Sequence, residues 1–290
     1  MSSHNFASQK QMTGMFGHPV IENPIDQMFD SVYAHYGLNW QFWKINLNSA
    51  SELPAAIAGA KVMGFSGFCI TVPYKIDVLP SLDGFDEDVR VIGAANYVTY
   101  EKGRIIGHNN DGKGVVKAIE KVTSIVGKRV TMLGAGGAGR AMAVEIARAK
   151  ASHLTIITRR ESQGSDVANI VQNATGVPTQ WVAWSGSVAV PQGTQILLNA
   201  THLGALPECE SVPLDWNTLS AETTVVDVIT NPRITRFLET ARAKGCAVVD
   251  GVDMLVQLAM QIFKAWTGIT PDEQVFQRAV EAALNRGFDA

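Results

Sequence analysis

The sequence predicts an α/β protein of two units with mainly parallel sheets. Strand-like apolar runs alternate with helical patterns along almost the whole chain, the mark of helices layered on sheets. A glycine-rich segment, GAGGAG at Gly134–Gly139, follows an apolar run and opens an alanine-rich helical stretch, as in the first strand–turn–helix of a Rossmann dinucleotide-binding domain. With 290 residues, 46% hydrophobic and 18% charged, the chain has apolar material for two packed cores and is not a disordered polymer.

Residues 1–17 lack the charged start and apolar run of a secretory signal and read as a short flexible lead-in. NPIDQMFDSVYAHYG reads as a helix that Asn23 can cap, with Pro24 at its first position and Gly37 at its end. QFWKINL is a strand, and SELPAAIAGAKVMG is helical in pattern up to Gly64. GFCITV, Gly67 to Val72, is a buried strand. Pro73 ends its ladder for want of an N–H, and Lys75 emerges just beyond. DGKGVVKAIEKVTSIVG reads as a helix linking the two units. KRVTML opens the second unit, and strand-like HLTIITRR, TQILLNAT, TTVVDVIT and CAVVDG follow. VDMLVQLAMQIFKAWTG is a helix stopped by Gly268. TPDEQVFQRAVEAALNRG is another, with Thr270 and Glu273 as a capping box and Pro271 at the first helical position.

A net charge of −3 without long runs of one sign points away from nucleic acid and anionic membranes as partners. No segment has the unbroken apolar length that spans a bilayer. Three scattered cysteines, Cys69, Cys209 and Cys246, suit a reduced, cytoplasmic protein. The six histidines lack ligand spacing, so no metal is expected.

The glycine turn has a mechanism. Gly134, Gly136, Gly137, Ala138 and Gly139 let the backbone approach a pyrophosphate, and the following helix N-terminus offers N–H donors. The next strand ends Thr158-Arg159-Arg160, where an NAD site carries an acidic residue for the ribose. Two guanidinium forks and no carboxylate before Glu161 favour the 2′-phosphate of NADP. Glu161 leaves NAD open.

GHPVIENPIDQM, ITVPYK, GAANYV, NNDGKG, GAGGAGRA, LLNATHLG, DVITNPRIT and DGVDMLVQLAMQIFKAWTG occur in this order. Together they resemble the shikimate/quinate dehydrogenase family over nearly the whole chain. The resemblance implies an N-terminal α/β substrate domain, residues 1–112, completed by C-terminal helices 253–290, and a Rossmann NAD(P) domain, residues 113–252. It implies reversible hydride transfer between nicotinamide and a ring hydroxyl of shikimate or a related cyclic hydroxy acid. Lys75 matches the catalytic lysine and Asp111 its partner, while Thr71 and Asn96 match substrate contacts. Asn199, Thr201, Val228 and Gly251 fall on cofactor-side motifs. The chemistry suits these types: a hydroxyl proton must leave as its carbon becomes a carbonyl, a lysine can carry it, and an aspartate can orient that lysine.

The carboxylate-recognition residues depart from the family pattern. Asn23 and Ile25 stand where a Ser-x-Ser pair is expected. Cys69 replaces an asparagine, Thr230 a tyrosine, Leu258 a glutamine and His202 a serine. A bound carboxylate needs other donors, the candidates being Asn23, Gln257, Gln261 and His18. Gln257 and Gln261 share one helix face. The preferred substrate is therefore expected to differ from shikimate or to bind in another pose. Two alternatives are an NAD-dependent quinate-type dehydrogenase and a catalytically idle cofactor-binding sensor. A monomer or homodimer is expected.

Overall fold

The computed structural model describes residues 9–207 and 209–285. Its first half runs β1 (Gln11–Gly17), α1 (Ile25–His35), β2 (Trp40–Asn46), α2 (Leu53–Val62), β3 (Phe65–Ile70), β4 (Gly84–Phe85), α3 (Glu87–Ile92), β5 (Tyr97–Glu101), β6 (Arg104–His108) and α4 (Asp111–Glu120). The second half runs β7 (Arg129–Leu133), α5 (Gly137–Arg148), β8 (His153–Thr158), α6 (Glu161–Thr175), β9 (Thr179–Ala183), β10 (Val188–Ala189), β11 (Ile196–Asn199), β12 (Leu214–Asp215) and β13 (Thr224–Asp227). It closes with α7 (Arg236–Ala243), β14 (Val248–Val249), α8 (Gly251–Thr267) and α9 (Glu273–Asn285).

Twelve of the strands form two six-stranded sheets, ordered β2-β1-β3-β5-β6-β4 and β14-β13-β11-β7-β8-β9, and β10 and β12 pair separately, so the protein has two α/β domains. The second sheet is parallel throughout, and its order is the doubly wound Rossmann order, with the crevice between β7 and β11. The first sheet is mixed, because β5 runs antiparallel to both β3 and β6. The tight β5–β6 hairpin explains the reversal: Lys102 and Gly103 both take positive φ, +51° and +78°.

Three sequence expectations need correction. Residues 11–17 are no lead-in but β1, pairing with β2 and β3 inside the first sheet; the remaining residues 1–8 lie outside the described ones. Methionines and glycines blur its strand pattern, yet Gly14 is required there, since a Cβ would stand 2.7 Å from Trp43 O. β3 stops at Ile70, two residues before the expected end, although Thr71 N–H still bonds Phe16 O at 2.9 Å. Asp272 rather than Thr270 accepts from the first turn of α9, at Gln274 N (2.8 Å), and Glu273 pairs with Lys121 at 2.5 Å instead of closing a box.

α8 begins with Asp250 accepting from Val252 and Asp253 N–H and ends at Gly268 in the left-handed region. Its far end and α9 return to the first domain. Phe263, Trp266 and Phe276 join Phe29 and Tyr33 of α1 and Phe42 of β2 in one aromatic cluster. Trp266 Nε1 donates to Val98 O at 2.9 Å while its ring lies over Gly67, where a Cβ would meet Nε1 at 2.1 Å. Gly67→Ala is expected to dislodge Trp266 and cost about 3 kcal/mol of stability. Urea denaturation checks this, and an unchanged midpoint would remove the proposed packing constraint.

Candidate active site

The chain leaves β3 through Thr71 and turns at once, with Tyr74 N–H bonding Thr71 O at 3.0 Å. Tyr74 is buried and its hydroxyl donates to Leu47 O at 2.7 Å, while Ala95 N–H donates to Lys75 O at 2.8 Å. The two bonds fix the backbone on either side of the Lys75 stem. Lys75, 9% exposed, donates from Nζ to Asp111 Oδ2 at 2.5 Å, and Asp111 is 2% exposed. Charges this buried need partners, and each supplies the other's. Asp111 is also the first residue of α4, where the helix dipole favours an anion.

Asn96 holds that carboxylate, and Asn109 and Asn110 brace the network around it. Asn96 donates both amide hydrogens, to Asp111 Oδ1 at 2.9 Å and Asn110 Oδ1 at 2.8 Å. Asn110 N–H returns a bond to Asn96 Oδ1 at 3.0 Å, and its Nδ2 reaches Leu258 O of α8 at 2.9 Å. Asn109 accepts from Asp111 N–H at 3.1 Å and donates to Ala94 O at 2.8 Å. The family resemblance implies that Asn96 contacts substrate. Its two hydrogens are instead committed here, so it is better described as positioning Asp111. Asn109, Asn110 and Tyr74 had no individual signal in sequence, because each acts only through folded partners.

Beside the lysine stands the glycine turn. A Cβ on Gly137 would lie 2.8 Å from Lys75 Cβ, so the Lys75 stem packs directly against the start of α5. Gly134 has φ +98° and sits against Ala200 and Thr201, where a Cβ would come within 3.0 Å of Ala200 O. Gly139 packs under Gly134 O, Gly136 is open on its Cβ side, and Ala138 is half-buried. Gly136 caps α5 without a side chain, leaving the first-turn N–H groups to an anion. Thr158 is buried and spends its hydroxyl on Arg160 O at 2.9 Å. Arg159 and Arg160 are exposed, and neither guanidinium bonds another described residue. This turn, helix start and pair of free guanidiniums fit a dinucleotide with a 2′-phosphate.

Other expected cofactor residues serve the fold. Asn199 donates to Asp227 Oδ1 at 3.0 Å and Leu203 O at 3.1 Å, and accepts from Thr201 N–H and Oγ1. Thr201 Oγ1 in turn accepts from Leu203 N–H. Neither side chain is free for a ligand; both brace the loop after β11. Asp227, which the sequence reading did not single out, anchors that brace: burial pushes its carboxyl up to about 6, against the bond from Thr235 Oγ1 at 2.6 Å. Gly251 is buried where a Cβ would meet Ile229 O at 2.3 Å, with half-buried Val228 alongside.

The substrate-side candidates divide. Thr71 is half-buried at the end of β3, and its hydroxyl has no partner among the described residues. Asn23 Oδ1 accepts from Ile25 N–H at 3.1 Å, leaving its amide hydrogens unengaged. Ile25, 3% exposed, faces the core from α1, and the neighbouring apolar side chain that the turn holds outward is Ile21, 67% exposed. Gln257 is turned toward Glu273, whose carboxyl is lowered first by Lys121 and also by Gln257. Gln261 Nε2 bonds Gln257 O at 3.1 Å within the same helix. The face of α8 that touches the asparagine network is that of Leu258, about 100° away from Gln257. Gln261 is thus committed within its own helix, whereas Gln257 Nε2 is buried with no partner among the described residues. His18 Nδ1 meets Asn46 Oδ1 at 3.2 Å. Cys69 is buried, and burial holds its thiol well above the ordinary range, so it forms a small apolar wall near the ion pair. Among the described residues no cluster could hold a metal, and no helix is long and apolar enough to cross a membrane.

A buried lysine–aspartate pair packed beside a Rossmann glycine turn defines a two-domain dehydrogenase type of protein. Comparison with known proteins narrows this. Residues 15–98 match the shikimate dehydrogenase substrate binding domain. A shikimate dehydrogenase (NADP(+)) of Methanococcus aeolicus is 32% identical over 275 residues, covering 94% of this chain and 98% of the relative. The chain belongs to the shikimate dehydrogenase family. Among solved structures, the ligand-free 5-ketofructose reductase of Gluconobacter sp. strain CHM43 is 41% identical with a TM-score of 0.85, covering 95% of this chain and 99% of that one. A shikimate dehydrogenase in complex with NADP+ is 29% identical with a TM-score of 0.86, covering 95% and 96%.

Proposed function

We propose that the protein is an NADP-dependent oxidoreductase that interconverts a ring CH–OH and its ketone on shikimate or a related small polyhydroxylated compound. The observation that carries this is the buried Lys75–Asp111 pair set against Gly137, acid–base group beside cofactor turn. The names of the relatives agree in reaction type: shikimate dehydrogenase with NADP(+), and a reductase of 5-ketofructose. In this reading residues 1–112 with helices 253–290 form the substrate side, and residues 113–252 the cofactor side; residues 1–8 and 286–290 lie outside the described ones. Three free cysteines suit a cytoplasmic setting, and the assembly is a monomer or homodimer.

The reduced nicotinamide supplies a hydride when bound. This chain's residues do the rest. Lys75 Nζ gives a proton to the substrate oxygen as the ketone is reduced and takes it back in oxidation. Asp111 holds that ammonium, and Asn96 holds Asp111. The first turn of α5 faces the pyrophosphate, and Arg159 and Arg160 take the 2′-phosphate. The test is turnover by the purified chain with NADP and NAD against shikimate, quinate and 5-ketofructose, in the direction each permits. Cofactor binding without turnover on any of them would favour the idle sensor.

Arg159→Ser/Arg160→Ser is expected to raise the KM for NADP about tenfold or more and leave that for NAD unchanged, because charge-assisted bonds to phosphate are lost. An unaltered NADP-to-NAD ratio would remove the arginine assignment.

A further inference from the structure

The turn from β1 to α1, residues 18–24, borders the site. His18 N–H donates to Val72 O at 2.9 Å, and a Cβ on Gly17 would stand 2.2 Å from Thr71 Cγ2. The loop after β13 reaches the same turn from the other domain, with Asn231 Nδ2 donating to Glu22 O at 3.3 Å and Leu206 N–H to Asn231 O at 3.1 Å. A small molecule held at Lys75 between the domains has this turn along one side.

The described cations around the turn are committed to protein acceptors. Lys44 donates to Ile21 O at 2.8 Å and Asn23 O at 3.0 Å and pairs with Asp26 at 3.2 Å. Lys75 is paired with Asp111, and Arg233 bonds Asp250 at 3.0 Å and Glu281 at 3.2 Å. The turn itself adds the carboxylate of Glu22. A substrate carboxylate entering here surrenders hydration without a free counter-charge, the unfavourable case for a buried anion. The groups left over carry no fixed charge. The hydroxyls of Thr71 and Thr230, the amide hydrogens of Asn23 and Nε2 of His18 have no described partner. Ile21 and Val72 are apolar and 67% and 53% exposed. Hydroxyl and amide groups match sugar hydroxyls as donor and acceptor, and apolar side chains cover their C–H faces.

We infer a further activity, resting on the hydride-transfer reading above: the site reduces uncharged polyhydroxylated ketones of about sugar size, and residues 21–23 set a preference for them over carboxylated ring ketones. In the step, the carbonyl carbon gains the hydride that NADPH loses, and the carbonyl oxygen takes the proton of the Lys75 ammonium. NADP+, the secondary alcohol and a neutral lysine result, and solvent reprotonates the lysine.

The experiment compares kcat/KM for 5-ketofructose and 3-dehydroshikimate with NADPH, using the full chain and Ile21→Arg. Ile21 is exposed, so the variant keeps the fold, and its unchanged cofactor affinity is measured alongside. The native chain is expected to prefer the uncharged ketone by about tenfold or more. The new cation is expected to raise efficiency on the carboxylated ketone about tenfold, the worth of one charge-assisted bond, in a salt-sensitive way, and to lower it on the uncharged ketone, whose C–H face loses its apolar cover. Equal or better use of 3-dehydroshikimate by the native chain overturns the inference while leaving the proposed reaction standing. Bound cofactor with no turnover on either ketone, or in the reverse direction on shikimate, overturns both.

Discussion

Replacing Lys75 with alanine is expected to lower kcat about 10²- to 10⁴-fold, the range for loss of a positioned proton donor. The affinity for NADP should hold. Lys75 meets the cofactor side through its stem against Gly137, and truncation there opens space without removing a phosphate contact. The measurement is steady-state turnover with a separate cofactor titration. A structural lysine would give the opposite pattern, with kcat kept per folded molecule and stability lost.

The second large effect falls on Asp111→Ala. Removing the carboxylate strands the Lys75 ammonium in a site where it is 9% exposed, and deletes the acceptor of one Asn96 hydrogen at 2.9 Å. Breaking a buried pair in this way costs about 3–5 kcal/mol. The lysine is also released from its aimed position, so kcat should fall by about 10² or more. Asp111→Asn should retain part of the stability, since the amide keeps the shape and one acceptor, yet still lose turnover. Urea denaturation read beside kcat separates the two losses. An Asp111→Ala protein with unchanged midpoint and activity would mean that the pair is incidental.

Much of this architecture was legible from local signals. The Gly134–Gly139 turn is defined by short-range backbone needs, and the alternation of strand and helix runs announced the parallel second sheet. Lys75 and Asp111 were legible as motif residues, and the structure brings them to 2.5 Å. What escaped depends on contacts distant in sequence. β1 carries a weak pattern because its burial comes from flanking β2 and β3 on both edges. The β5–β6 hairpin and the resulting mixed sheet depended on a two-residue Lys102-Gly103 turn rather than on periodicity. Gln257 and Gln261 shared a face as expected, but that face is turned away from the asparagine network, and helix rotation relative to a partner is not encoded in spacing. Asn199 and Thr201 looked available in sequence because their partners, Asp227 and each other, become visible only once the loop is folded.

The most direct test of hydride transfer at this site uses NADPH carrying deuterium at C4 on the transferred face, with 5-ketofructose or 3-dehydroshikimate as acceptor. The account predicts that the product alcohol formed by the native chain carries the deuterium on its new CH–OH carbon, and that Lys75→Ala binds the labelled cofactor but forms this product far more slowly. A product free of deuterium, or equal rates for the two proteins, would contradict it.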